Sequence, residues 1–108
     1  MSDRSGIKAN KTTQVLEYVD RGLDHYGATT KQVVYYNLET NFKLAKGDIL
    51  KHPEKFVQSI REMFGPGSRS IEQVIILEMQ TSSELKDLDR SDLVTALKQA
   101  RAYYQRQS

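Results

Sequence analysis

Residues 48–79 read DILKHPEKFVQSIREMFGPGSRSIEQVIILEM, and this stretch decides the fold because it contains the start and stop signals of two helices. Pro53 suits the first position of a helix, where a backbone N–H is not needed. Gly65, Pro66 and Gly67 follow the first apolar run, and a glycine followed by a proline ends a helix and prevents its continuation. The stretch therefore predicts two helices joined by a tight corner.

Apolar residues recur at helical spacing on both sides of this corner. The helix before it is predicted to bury Phe56, Val57, Ile60, Met63 and Phe64. The helix after it is predicted to line its inner face with Ile71, Val74, Ile75 and Met79. Ser68 or Ser70 is expected to cap this second helix, with Gln73 completing a capping box. Because Ile76 and Leu77 make it apolar most of the way round, we expect this helix to be central.

Two further helices are predicted upstream. The first runs from about Thr12 to Gly27, and its apolar face consists of Val15, Leu16, Val19, Leu23 and Tyr26. The second is expected to be capped by Thr29 or Thr30 and to run to about Phe42. Its inner face is predicted to include Val33, Val34, Asn37, Leu38 and Phe42. Residues 33–36 would also suit a strand, but strict alternation fails there and the length of the segment favours a helix.

Downstream, residues 81–90 form a charged linker to a last helix that we expect Ser91 to cap. Its apolar stripe consists of Leu93, Leu97, Ala100 and Tyr104. This stripe needs a partner surface, either the core of the same chain or another copy. The sequence thus predicts an all-α protein, a small bundle of four core helices plus a C-terminal fifth helix. Residues 1–11 are predicted to be a flexible lead-in, residues 12–80 the helical domain, and residues 81–108 the linker and last helix.

Composition excludes several classes of protein. The chain has 108 residues and no cysteine, so disulfides, thiolate metal sites and a cysteine nucleophile are excluded. Its longest apolar run is residues 74–77, far short of the roughly 20 residues of a membrane span. The net charge is +2, and residues 1–54 and 55–108 each carry 8 basic and 7 acidic side chains, so there is no polybasic arm. We expect a cytoplasmic protein with no membrane partner.

Few residues offer catalytic or metal-binding chemistry. The two histidines, His25 and His52, have no second ligand at helical spacing, and the helix dipole alone explains a histidine in the last turn of the first helix. Residues 87–92 resemble the opening of a calcium loop, but Asp92 stands where glycine is needed and Lys98 where a bidentate glutamate is needed. We therefore predict a non-enzymatic protein with no catalytic residue, no cofactor, no metal and no small-molecule substrate.

The last helix contains the one group of residues with candidate binding chemistry: Lys98, Arg101, Tyr103, Tyr104 and Arg106. Cations neutralise phosphates and tyrosines stack on bases, so the group suits nucleic acid. Tyrosine and arginine are also enriched at protein interfaces. A third interpretation is a packing helix, because the dipole favours basic residues at a helix end and Tyr104 belongs to the apolar stripe.

The run from Val33 to Met79 resembles the archaeal Nitrosopumilus output domain family. The matching positions are Tyr35-Tyr36, Leu38, Asp48-Ile49, Pro53, Phe56, Ile60, Phe64-Gly65-Pro66-Gly67, Ile71-Glu72 and Ile75. With the first helix included, the resemblance covers roughly residues 12–80 and leaves residues 81–108 outside. It implies a small helical module of archaeal signal transduction, standing alone or following a receiver domain, and it brings no catalytic residues.

The predicted function is therefore a helical interaction or regulatory module in archaeal signal transduction or transcription. It would act by protein–protein contacts, with a protein partner or as a homodimer. The alternative is a nucleic-acid-binding protein that uses the basic and aromatic last helix.

Overall fold

The computed structural model describes residues 13–107 of the chain. The predicted lead-in of residues 1–11 lies outside this range. The described residues form five α-helices and no strand: α1 (Thr13–Asp24), α2 (Ala28–Asn41), α3 (Pro53–Phe64), α4 (Ser68–Met79) and α5 (Leu93–Gln107). Short 3₁₀ turns occur at Lys46–Asp48, Gly65–Gly67 and Ser83–Leu85. The prediction of an all-α bundle of four helices plus a C-terminal fifth is confirmed.

The helix α4 is central, as predicted, and packs against α1, α3 and α5. Its crossing with α1 is close because Gly22 of α1 lies on Ile75 of α4. A β-carbon at Gly22 would come within 2.7 Å of the Ile75 Cγ1 atom and 3.0 Å of its Cα. Because glycine has no side chain, the two helix backbones can approach at this point. The sequence interpretation had given Gly22 no role.

The helix α3 and the corner after it match the prediction. Pro53 occupies the first turn of α3, and Gly65 follows its last residue. Gly65 has φ 56° and ψ −134°, a conformation that residues with a side chain rarely adopt, and its N–H donates to the Arg61 carbonyl. The Arg61 guanidinium donates to both oxygens of the buried Glu72 carboxylate, from Nε at 3.1 Å and Nη2 at 3.2 Å. This two-point ion pair ties α3 to α4 across the corner.

The predicted caps of α2 and α4 are wrong. Neither threonine caps α2, because Gly27 adopts φ 101° and lets the helix begin at once with Ala28. The helix α4 begins at Ser68 directly from the 3₁₀ turn, where Gly67 is already helical with φ −69°. Ser70 consequently lies inside α4, and its hydroxyl forms a hydrogen bond with the Tyr26 hydroxyl at 2.7 Å.

The capping box at α4 and the predicted cap of α5 are wrong as well. Gln73, expected in the capping box, donates instead to the Arg90 carbonyl at 3.1 Å. At α5 the capping residue is Asp92, whose carboxylate accepts a hydrogen bond from the Thr95 backbone N–H at 3.1 Å. Ser91 donates its own N–H and hydroxyl to Asp89. The chain therefore enters α5 one residue later than expected.

The predicted inner faces are correct for most positions and wrong for a few. Val33 is 50% exposed and Tyr26 is 37% exposed, so neither belongs to the core. Leu77, which was expected to extend the apolar surface of α4, is 52% exposed. The stripe of α5 packs on α1, α3 and α4 of its own chain. The buried residues of the linker and α5 are Leu85, Leu88, Leu93, Ala96, Leu97, Ala100 and Tyr104. The last helix is thus part of one continuous core.

Candidate functional site

The five candidate residues of α5 lie in separate environments. Lys98 and Arg101 lie on the side of the helix that faces α3 and the loop before it. The Lys98 ammonium lies 2.6 Å from the Glu54 carboxylate, and Arg101 donates from Nη1 to the Leu50 carbonyl at 3.1 Å. The hydrogen bond from Lys98 lowers the pKa of Glu54 below its usual value. Both cations therefore already have a partner within the chain.

The other three candidates differ in burial: Tyr104 is buried, Tyr103 is half-buried and Arg106 is exposed. Tyr104 is 2% exposed and donates its hydroxyl to Glu84 at 3.1 Å, and burial raises its pKa to about 12. Tyr103 packs edge-on against it, with ring centroids 5.4 Å apart. Tyr103 and the exposed Arg106 line a shallow cavity that Gln99 also borders. Since Tyr104 cannot stack on a base without leaving the core, a nucleic-acid surface here would rest on the other four residues, and it stays a prediction.

A polar cluster that the sequence interpretation missed joins α1, α2 and the first 3₁₀ turn. Tyr35 donates its hydroxyl to Asp20, and the Lys46 ammonium lies 3.0 Å from the second carboxylate oxygen. The same ammonium lies 5.0 Å from the centroid of the Tyr35 ring. No motif predicts this group, because its members are 15 and 11 positions apart in the chain.

The electrostatics of this cluster favour a structural role. Burial alone would raise the pKa of Asp20, but the hydrogen bonds from Tyr35 and Lys46 hold it below its usual value. Burial, followed by the bond to Asp20, raises the pKa of Tyr35 far above that of a free tyrosine. A tyrosine whose pKa is raised in this way keeps its proton near neutral pH and is a poor proton donor. The cluster therefore ties α1, α2 and the first 3₁₀ turn together.

The histidines occupy different places in the fold. His25 follows α1, and its Nε2 atom lies 2.8 Å from the carboxylate of Glu78 on α4. Its ring is 53% exposed, and Arg21 and Asp24 border the same open depression. His52 is exposed and immediately precedes α3. Within residues 13–107, no three histidine, aspartate or glutamate side chains are grouped so as to hold a metal ion.

The outer side of α2 is an exposed surface with apolar character. Tyr36 is 68% exposed and Val33 is 50% exposed, whereas only Val34 and Leu38 of this helix are buried. Thr29, Asn37 and Thr40 lie at helical spacing around the two exposed side chains and carry no charge, and the charged Glu39, three residues after Tyr36, borders them. We refer to them as the outer strip of α2: Thr29, Val33, Tyr36, Asn37 and Thr40.

Two polar side chains of the outer strip, those of Asn37 and Thr40, form hydrogen bonds with the helix backbone. Asn37 donates its amide to the Val33 carbonyl at 3.0 Å, and Thr40 donates its hydroxyl to the Tyr36 carbonyl at 2.7 Å. In both bonds the donated hydrogen is used within the helix and is not offered to solvent or to a partner. The strip consequently presents an aromatic ring and a branched aliphatic side chain beside two polar groups that already have hydrogen-bond partners.

The fold and these surfaces define a small all-α protein. No protein-family model, curated protein or solved structure was found to match the chain. In the part of the chain that the structure describes, none of the helices is both long and apolar enough to cross a membrane.

Proposed function

We propose that this chain is a non-enzymatic interaction module that acts by protein–protein contacts, and that its contact surface is the outer strip of α2. The exposure of Tyr36 and Val33 is the observation that carries the proposal. Large aromatic side chains are enriched at protein interfaces, and exposed apolar surface is stabilised when a partner covers it. The resemblance to the output domain family is the reason to place the module in archaeal signal transduction or transcription, in the cytoplasm.

The occupant that we propose for the strip is a second copy of the chain. A two-fold interface brings the same surface of both copies together, so a charge near the two-fold axis faces its own copy. The outer strip carries no charge, and two copies can therefore approach without repulsion. The exposed Glu39, three residues after Tyr36, borders the strip and lies outside it.

The size of the strip predicts a weak and reversible dimer. The helix α2 has 14 residues, so it is about 21 Å long at about 1.5 Å per residue. With a width of about 10 Å, the strip offers roughly 200 Å², against about 800 Å² per partner in a standard interface. We therefore expect association in the high micromolar to millimolar range, which suits a regulatory contact.

Sedimentation equilibrium across that concentration range tests the proposal. The variant Tyr36→Lys should abolish the concentration dependence, because each dimer would bury two new charges, and Val33→Lys should do the same. Leu77→Lys is the matched control, since Leu77 is 52% exposed on α4, outside the strip. Both strip positions are exposed, so the variants should keep the helical circular dichroism of the parent.

Two results would reject the proposal. One is a parent protein whose mass stays that of a monomer throughout the concentration range. The other is a control variant, Leu77→Lys, that weakens association as much as Tyr36→Lys does. Either result would remove the outer strip of α2 as the site of self-association.

A further inference from the structure

A cavity of about 160 Å³ lies where the start of α1, the loop before α3 and the end of α5 meet. Leu16 and Leu50 provide apolar walls, and Gln105 provides an amide. Two cationic side chains, Lys51 and Arg101, also line the cavity, and no carboxylate among residues 13–107 does. This is a positively charged recess with partly apolar walls, and it is separate from the outer strip of α2.

The Arg101 guanidinium is held in place. It is partly buried, and its Nη1 atom donates to the Leu50 carbonyl at 3.1 Å. A guanidinium has five N–H donors, so most of its donors remain for a ligand. One fixed hydrogen bond also reduces the side-chain entropy that binding would otherwise cost. Arg101 is thus oriented in advance, which is what recognition of a planar or tetrahedral anion requires.

The charge of the second cation is only weakly compensated within the chain. The Lys51 ammonium lies 3.6 Å from the carboxylate of Asp48, a long ion pair in which both side chains are well exposed to water. Such exposed pairs contribute little and rearrange readily. Lys51 can therefore turn towards an anion in the cavity at small cost, with Arg101 on the other side.

We propose that this cavity binds the phosphoryl group of a small phosphomonoester. Two cations match the charge of about −1.5 to −2 that a phosphomonoester carries at neutral pH, whereas a carboxylate carries only one charge. Arginine also binds phosphate oxygens through two parallel hydrogen bonds, and lysine adds a point charge. The volume is about that of five water molecules at roughly 30 Å³ each, so it admits a phosphoryl group while the rest of the ligand extends outwards.

NMR titration of the full-length chain tests the proposal, with inorganic phosphate and glycerol phosphate as probes and chloride at equal ionic strength as the reference. We expect saturable shifts of the backbone amides of Lys51, Arg101 and Gln105 with glycerol phosphate. Comparing the two probes distinguishes a site for free inorganic phosphate from a site for the phosphoryl group of an ester. If it binds as tightly as the ester, recognition is confined to the phosphoryl group itself, as the size of the cavity requires.

Matched variants connect any binding to the cavity. Arg101→Met keeps the aliphatic stem and should weaken binding at least about tenfold, because hydrogen bonds between charged groups are lost. Arg106→Met makes the same change on an exposed part of the same helix and should change affinity less than about twofold. Lys51→Met changes an exposed side chain and should weaken binding severalfold. If Arg101→Met does not fold, this variant tests whether binding takes place in the cavity.

Three results would overturn the proposal. Shifts that grow without saturation, or that chloride reproduces, would mean that there is no site. Equal weakening by Arg106→Met and Lys51→Met would mean that only the overall charge matters. Binding of a single-stranded oligonucleotide without binding of either phosphate probe would assign the recess to nucleic acid rather than to a small ligand.

Discussion

The close crossing of α1 and α4 makes Gly22→Ala an informative perturbation. In an isolated helix, alanine is favoured over glycine by about 1 kcal/mol, so a helix-propensity argument predicts stabilisation. The structure predicts the opposite. The new β-carbon would lie 2.7 Å from the Ile75 Cγ1 atom and 3.0 Å from its Cα. The second contact involves backbone, which a side-chain rotation cannot relieve.

The two effects can be compared in size. Overpacking a core by a methyl group costs typically about 1 to 3 kcal/mol, and a contact with backbone places this case near the upper end. Subtracting the gain of about 1 kcal/mol in helix propensity leaves a net destabilisation of about 2 kcal/mol. For a domain of this size that corresponds to a melting temperature lower by roughly 8 to 16 °C.

Urea unfolding followed by circular dichroism measures this change, with Gly67→Ala as the control. Gly67 has φ −69°, and a β-carbon added there would meet no atom within 4 Å, so alanine at this position should stabilise the protein by about 0.4 to 1 kcal/mol. In the double variant with Ile75→Ala, the Cγ1 contact is gone. The double variant should therefore lose at least about 0.5 kcal/mol less than the sum of the single changes.

A Gly22→Ala protein as stable as the parent would refute this reasoning. It would mean that α1 and α4 adjust their separation at little cost, so that Gly22 has no special role. Additive single and double changes would also contradict it, because they would show that the Ile75 side chain does not oppose the new methyl group.

Three other predictions concern the corner, the polar cluster and the last helix. Gly65→Ala should destabilise the protein by about 1 to 3 kcal/mol in urea unfolding, because its φ of 56° strains any side-chain-bearing residue although the surrounding space is open. The pKa of Asp20 is lowered in the folded state, so its contribution to stability is present above the unfolded pKa of about 3.9 and is lost as the pH falls through the lower folded value. Tyr35→Phe should raise the pKa of Asp20, which NMR measures, and should reduce the part of the stability that is lost in acid. An unchanged pKa of Asp20 would show that the hydrogen bond from Tyr35 does not lower it. Ending the chain after Ser82 should give an unfolded protein by circular dichroism, because four buried leucines and a buried tyrosine are removed from the core; a folded product would show that α5 is an accessory element.

Local signals account for what could be predicted of the fold. Pro53 and Gly65 act on their own backbone, so the start and end of α3 were predictable from neighbouring residues alone. The caps were not, because a serine or threonine near a helix start has several hydrogen-bond partners to choose from. Ser70 bonds to Tyr26, which is 44 positions away in the chain, and this partner exists only after α1 and α4 have packed.

The same limit applies to the candidate surfaces. Helical spacing predicted Val33 near the inner face of α2. This helix lies at the edge of the bundle, where it packs against α1 and α3. It therefore buries Val34 and Leu38 and leaves Val33 exposed. The apolar pattern of a helix at the edge of a bundle does not show how many of its apolar side chains the neighbouring helices bury. The Asp20, Tyr35 and Lys46 cluster was likewise beyond prediction, because it depends on how three separate elements meet.

Packing decides which residues of the last helix are available to bind a ligand. Its apolar stripe faces the other helices of the same chain, so it does not argue for a second copy at α5. Glu54 pairs with Lys98, and the Leu50 carbonyl accepts from Arg101. The second contact uses only one of the five donors of a guanidinium that lines a cavity. A cation bound at one donor is therefore oriented rather than neutralised. Anion binding is therefore better supported at the recess beside Lys51 than along a basic face of the helix. Lys51 and Arg101 both line this recess, and no carboxylate of the described residues does.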